Sequence, residues 1–252
     1  MIAAHYTLTE LQGLSNTDSH YKTFKANATI RQKAVKDAAQ AMGMQAGLAN
    51  ESRKIDAYLD SQSTYLDQIY NFNMLMYKRN ILPPVIEANQ TSVHIGDNGD
   101  DIRIAGKTYR IIRQVKFVTT PPTWRDYLYM HFNDPDIPNK VLLPKDSTEK
   151  AIWSQNIAYG WNEGIKQAAN IFEIQNSTLE RDYEGMVLYK NLMIKHMISP
   201  YYISKTYKGI TGDGNHMVID DQNWRITNKP QLQLQSKIWH APVTKINSVG
   251  SQ

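Results

Sequence analysis

At 252 residues, with 41% hydrophobic and 21% charged residues, the chain has the means to bury a core and is not disordered by composition. Its net charge of +4 reflects 28 basic against 24 acidic residues without any Lys/Arg block of five or more, which gives weak support to a nucleic-acid footprint. The lack of cysteine excludes disulfides, thiolate metal sites and cysteine nucleophiles.

The chain opens Met1-Ile2-Ala3-Ala4-His5 without the basic start and apolar run of a signal peptide. No apolar run nears the roughly 18 residues of a membrane span. The expectation is a cytosolic protein or a mature segment given a starter methionine. Residues 1–26 are polar and without sustained period, which predicts an extended arm or tether with a small anchor at Leu8, Leu11 and Leu14. A helix then starts at Asn27 or Thr29, with Ile30, Ala34, Ala38, Ala41 and Met42 as a narrow stripe of small residues that allows a neighbouring helix to come close. Gly43 and Gly47 are expected to loosen its end, and Asn50 to cap a second helix carrying Ile55, Leu59, Leu66, Ile69, Phe72 or Asn73, and Met76, which ends before Pro83.

Val115 to Val118 reads as a strand. After it, Pro121-Pro122-Thr123 sets up an abrupt helix start, followed by Trp124, Tyr127, Tyr129 and Phe132 in close succession. This is either an aromatic docking patch or a tightly packed corner of the core. Asp146 and Glu149 match a capping box. From there Ile152, Trp153, Ile157, Trp161, Ile165, Ala168, Phe172, Leu179, Tyr183, Met186, Met193 and Met197 form the longest helical pattern, with a break or kink expected near Asn176-Ser177. Leu232-Gln233-Leu234 suggests a further strand, and 247–252 a disordered tail, which leaves a single domain over 27–246.

One stretch occurs twice. In the first copy a helical run stops at Pro83-Pro84, a short strand Val85-Ile86 follows, and Ile102/Ile104 and Tyr109/Ile111 alternate on either side of a polar turn. In the second, the run stops at Pro200, Tyr201 to Ile203 follow, and Met217/Ile219 and Trp224/Ile226 flank the turn Asp220-Asp221-Gln222-Asn223. Pro84 and Pro200 are offset by 116 residues, and Gly99 and Gly214 by 115. The predicted class is α+β, with long helices packed on a small mixed or antiparallel sheet built from two similar strand-plus-hairpin units.

No catalytic constellation emerges. Gly106-Lys107-Thr108 lacks the earlier glycine and the following helix of a phosphate loop. The run Asp97-Asn98-Gly99-Asp100-Asp101 lacks the ligand spacing of a calcium loop. The seven histidines are scattered, with no pair at i, i+4. No enzyme, metal or cofactor is expected. Fifteen tyrosines and five tryptophans suit interfaces instead.

Several segments together resemble the DotC/TraI family of type IVB secretion and conjugation proteins. They are Leu11-Gln12-Gly13-Leu14-Ser15, Tyr65 to Asn73, Leu82-Pro83-Pro84-Val85-Ile86-Glu87, Lys107-Thr108-Tyr109-Arg110-Ile111, Phe117 to Leu128, and Gly209-Ile210-Thr211-Gly212-Asp213. Pro122-Thr123-Trp124-Arg125-Asp126-Tyr127-Leu128 is the most specific of them. The resemblance runs from about Leu11 to about Thr244 and favours the conjugal branch. It implies a non-enzymatic lipoprotein of the outer-membrane core complex, on the periplasmic face of the bacterial outer membrane. Its implied partners are a small lipoprotein, a larger ring-forming subunit that it helps to place, and copies of itself in a ring. An upstream signal and a lipid-bearing cysteine are implied as well and do not stand in this chain, so a trimmed mature domain is expected. Trp124, Arg125, Tyr127, Tyr129 and Phe132 are the expected protein-interface residues, with no nucleic acid bound. The alternative is a soluble nucleic-acid-binding module, whose binding would weaken steeply with salt.

Overall fold

Two long helices, each followed by a proline and a hairpin, carry the architecture. The structure, a computed structural model, describes residues 5–16, 28–77, 80–95, 98 and 102–240. The chain divides into two compact units, Met1–Ile69 with Trp124–Thr178 and Tyr70–Thr123 with Leu179–Gln252. Each domain boundary drawn from the sequence meets this division differently. The stretch 27–246 contributes to both units, while residues 1–4 and 17–26 of the arm and the tail 247–252 lie outside the described residues.

In the first unit, helix α1 (Leu8–Gln12) is closed by a capping box between Thr7 and Glu10. Leu11 is fully buried, with Leu8 and Leu14 packed beside it, in a cluster with Val35, Ala39, Met42, Ala46, Trp153 and Ile157. The indole Nε1 of Trp153 donates to the Leu11 carbonyl at 2.9 Å, which anchors the segment.

Helix α2 (Ala28–Ser61) runs straight through Gly43 and Gly47, where the sequence predicted a loosened end and a new cap at Asn50. Its buried stripe is Val35, Ala39, Met42, Ala46 and Ala49. The predicted stripe was one residue out of phase: Ile30 is exposed and only Met42 is shared. Both sets of positions carry small residues at steps of three and four, so periodicity alone could not choose between them.

The two glycines instead make a contact. Helix α5 (Ser147–Ile194) lies beside α2 in the same chain direction and carries Gly160 and Gly164 at the same four-residue spacing. A Cβ at Gly43 would meet the Ile157 carbonyl at 2.4 Å, and one at Gly160 the Gln40 carbonyl at 2.3 Å. A Cβ at Gly47 would meet the Trp161 carbonyl at 2.2 Å, and one at Gly164 the Met44 carbonyl at 2.1 Å. An offset of 117 residues converts Gly43 into Gly160 and Ile157 into Gln40, so the contacts are reciprocal. Gln40 and Asn156, 2.9 Å apart, join the same seam. This is the small-xxx-small mode of helix packing, in which missing side chains let backbones touch. The duplication therefore extends into the helices.

Helix α5 starts where the sequence placed it. Asp146 accepts from the Glu149 amide at 2.7 Å, and Glu149 reaches back to the Lys145 amide at 2.9 Å. Glu149 is buried and also takes a two-pronged ion pair from Arg31, at 2.7 and 3.0 Å, while Arg31 donates to the carbonyls of Val141 and Leu143. Glu149→Gln keeps the shape and leaves a half-buried guanidinium underpaired. The expected loss is about 2–3 kcal/mol, below the usual figure for a broken buried pair because Arg31 is partly solvated. A urea titration checks it as a lowered midpoint at unchanged slope.

The break expected near Asn176-Ser177 does not occur: α5 is continuous over 48 residues. Its length exceeds what one compact unit can hold, but residues up to Thr178 belong to the first unit and those from Leu179 to the second.

In the second unit, the helix ends through a Schellman motif. His196 takes a left-handed conformation (φ 55°), its amide donates to Met193, and the Met197 amide donates to Leu192. The two hairpins follow equivalent prolines. Strands β2 (Val85–Ile95) and β3 (Ile102–Arg113) pair antiparallel, as do β5 (Tyr202–Gly212) and β6 (Met217–Asn228). The strand lengths match copy for copy, at 11 and 12 residues. The turns predicted within 105–108 and 220–223 fall inside β3 and β6. The second reversal comes at 213–216, where Asp213 accepts from the amides of Asn215 and His216. The first lies between β2 and β3, mostly outside the described residues. Gly209 pairs with Asp221, and the register shifts on either side of it, next to Asp220 at φ 60°, absorb the polar run without ending the ribbon.

A short pair, β1 (Ile81–Leu82) with β4 (Lys116–Phe117), completes the strands. The class is α+β, with long helices and, among the described residues, three separate two-stranded antiparallel sheets, each hairpin paired within itself. The predicted strand at Leu232 is a single bridge to Ile198, and Leu234 is exposed. The root of the first hairpin is buried: Ile86 packs with Tyr189, Leu192 and Ile198, flanked by Tyr109 and Ile111. Gly185 makes room, since a Cβ there would meet Val85 at 2.4 Å. Fully buried Asp182 pairs with Arg113 and ties the end of β3 to the helix.

Candidate protein-interaction surface

Helix α4 (Trp124–Leu128) and the residues after it form the corner that the sequence singled out. The structure brings three of the five expected residues together. Trp124 is 1% exposed, and its indole Nε1 donates to Asp67 at 2.7 Å. The Arg125 guanidinium stacks over that indole, 4.2 Å from its centroid, and pairs with the same carboxylate at 2.8 Å. The Tyr129 ring meets Trp124 edge-on at 5.5 Å, and its hydroxyl donates to Asp60. Tyr127 and Phe132 are half-buried beside this group. Trp124 is thus a core residue that shapes the corner, while Arg125, Tyr127, Tyr129 and Phe132 form its half-open rim.

The residues that receive this corner were missed. Asp56 accepts from the Met130 amide at 3.2 Å, Asp60 from Tyr129 and Asp67 from Trp124. They stand on α2 and on α3 (Ser63–Ile69) at spacings of four and seven, one face of a helix. That spacing was the available signal. Bonds from Arg125 and Trp124 hold the Asp67 carboxyl below its ordinary value. Its contribution to stability is therefore present while it is ionised and lost as pH falls through the lowered value. Burial pushes Asp56 up, opposed by the Met130 amide, and the bond to Asp60 raises the Tyr129 phenol.

A second surface lies on the hairpins. Toward their tips, Ile102 and Ile104 are 58% and 65% exposed, and Met217 and Ile219 are 64% and 62% exposed. These are the same positions of the two copies, 115 residues apart. Each pair sits two residues apart on a strand, hence on one face of its ribbon. Among the described residues each ribbon has two strands, so its outer edges offer unpaired backbone groups.

Among the described residues no group of three His, Asp or Glu side chains is placed to hold a metal ion, and no helix is long and apolar enough to cross a membrane. The arrangement can bind proteins through apolar faces and strand edges. No curated protein matches the chain. One protein-family model does, described as type IV secretory system, conjugal DNA-protein transfer, over residues 29–241. That span takes in both helix-proline-hairpin copies and the α4 corner, and the chain belongs to this family of type IV secretion components.

Proposed function

We propose that the chain is a non-enzymatic building block of the outer-membrane core complex of a conjugation machine, working on the periplasmic face of that membrane. It binds a small lipoprotein and a larger ring-forming subunit and helps to place the latter, with copies of itself in the ring. The observation that carries this reading is the exposed apolar pair at equivalent positions of both hairpins. A two-stranded ribbon with one apolar face is marginal alone in water, and a partner that covers it stabilises both. Unpaired edges allow strand addition from a neighbour. The half-open rim of Arg125, Tyr127, Tyr129 and Phe132 is a second contact, set rigidly by buried Trp124.

The test is recovery of the ring-forming subunit on immobilised chain. Ile104→Lys with Ile219→Lys, both on exposed positions, is expected to lower recovery roughly tenfold or more, as loss of an interface anchor does. Tyr127→Ala with Phe132→Ala is expected to lower it by less. Wild-type recovery with both folded variants would overturn the proposal.

A further inference from the structure

The second unit contains a cavity of about 420 Å³ that the building-block reading does not use. It lies between the last turns of α5, the root of the second hairpin and the segment around Leu75 to Tyr77. Its walls are chiefly aromatic and aliphatic, and its charged lining residues are Lys190 and Lys205, with no carboxylate. The volume falls in the range of small-ligand sites, which are apolar pockets with a few placed polar groups.

Those polar groups are specific. Tyr189 lines the cavity, is 2% exposed, and its buried hydroxyl has no hydrogen-bond partner among the described residues. A buried hydroxyl without a partner is costly, and an acceptor brought by a ligand relieves that cost. Burial pushes the Tyr189 phenol up to about 12 and raises neighbouring Tyr201 further, so both stay neutral and able to donate. The Lys190 ammonium is held in place by the Met74 carbonyl at 2.5 Å. The Lys205 ammonium stands 3.7 Å from the centroid of Trp224, its partner across the hairpin. The result is a largely apolar space flanked by two held cations, with the Tyr189 hydroxyl buried in its wall and no carboxylate among its described lining residues.

We propose that this cavity binds an organic carboxylate carried on an apolar body, the body against the aromatic walls and the carboxylate between Tyr189 and the two lysines. Two sources supply that chemistry, a free acyl chain and the C-terminal residue of a polypeptide. A phosphate-sized dianion without an apolar body gains nothing from the walls.

Isothermal titration of the purified chain tests this with four probes. They are dodecanoate, dodecanol, an acetylated Ala-Ala-Leu tripeptide with a free carboxylate, and the same tripeptide as its amide. At least one carboxylate should bind at one site per chain, with its uncharged counterpart roughly tenfold weaker or worse. The carboxylate that binds identifies the source. Tyr189→Phe keeps the ring, and should weaken that binding severalfold while the melting temperature holds or rises, because an unpartnered hydroxyl has been removed. Lys205→Met, on an exposed strand, should weaken it as well. Absence of binding by both carboxylates to the folded wild-type chain overturns the proposal. So does binding that survives both substitutions unchanged.

Discussion

Gly164→Ala should destabilise the protein by about 2 kcal/mol or more, although the same change in the middle of an ordinary helix stabilises by about 0.5–1 kcal/mol. The reversal of sign follows from the seam between α2 and α5. The new Cβ would lie 2.1 Å from the Met44 carbonyl and 2.6 Å from the Leu48 amide, both backbone atoms that cannot rotate aside. The helices must separate, and overpacking of this kind typically costs about 1–3 kcal/mol in addition to the forfeited propensity gain. Gly160→Ala should behave alike, since its Cβ meets the Gln40 carbonyl in the reciprocal contact. Gly106→Ala supplies the contrast. That glycine lies in β3 with open space about its Cβ position, and the change should be neutral or slightly stabilising. Denaturant midpoints of the three variants test the argument, and stabilisation by Gly164→Ala would remove the close approach from the account.

Trp124→Ala should cost about 3–5 kcal/mol, the usual range for truncating a large buried aromatic. It empties the corner beneath Tyr129 and removes both the indole donor to Asp67 and the surface on which Arg125 stacks. Trp124→Phe separates these parts. It retains most of the buried area and deletes the hydrogen bond to a carboxylate that is half in solvent, so a loss of about 1–2 kcal/mol is expected. Thermal melts of both variants check this. If partner recovery is lost with Trp124→Ala but kept with the folded Trp124→Phe, the indole acts on the interface through the shape of the corner. Near-wild-type stability of Trp124→Ala would contradict the buried placement itself.

Much of the architecture was legible from local chemistry. The cap at Asp146, the anchor at Leu8, Leu11 and Leu14 and the helical period after Ile152 each depend on residues within a few positions of one another. The helix expected to run up to Pro83 ends instead at Ile69, and Ile81–Leu82 is a strand. Repetition of the proline-to-hairpin stretch also showed in the sequence, because it needs only self-comparison. The hairpin turns were misplaced because Gly106-Lys107 and Asp220-Asp221 have turn composition. In the second copy the reversal belongs to an even stronger turn former, Asp213-Gly214-Asn215. A two-stranded ribbon with open edges accommodates a glycine or a bulge at little cost. For the corner, the aromatic cluster was visible but its receptors were not, since Asp56, Asp60 and Asp67 lie 57 to 74 residues away in sequence.

By itself the sequence determined the α+β class, the cap that starts α5 and the two similar strand-plus-hairpin stretches, because caps and periodicity act within a turn or two of the chain. Only the tertiary structure decided what Gly43, Gly47, Gly160 and Gly164 are for. A glycine in a helix reads as a weakness until a second backbone is seen lying against it, and no local propensity encodes a neighbour 117 residues away. The same holds for Tyr189, whose ring reads as one more apolar step on α5. That its hydroxyl ends buried without a partner beside a cavity is a property of how the second unit packs.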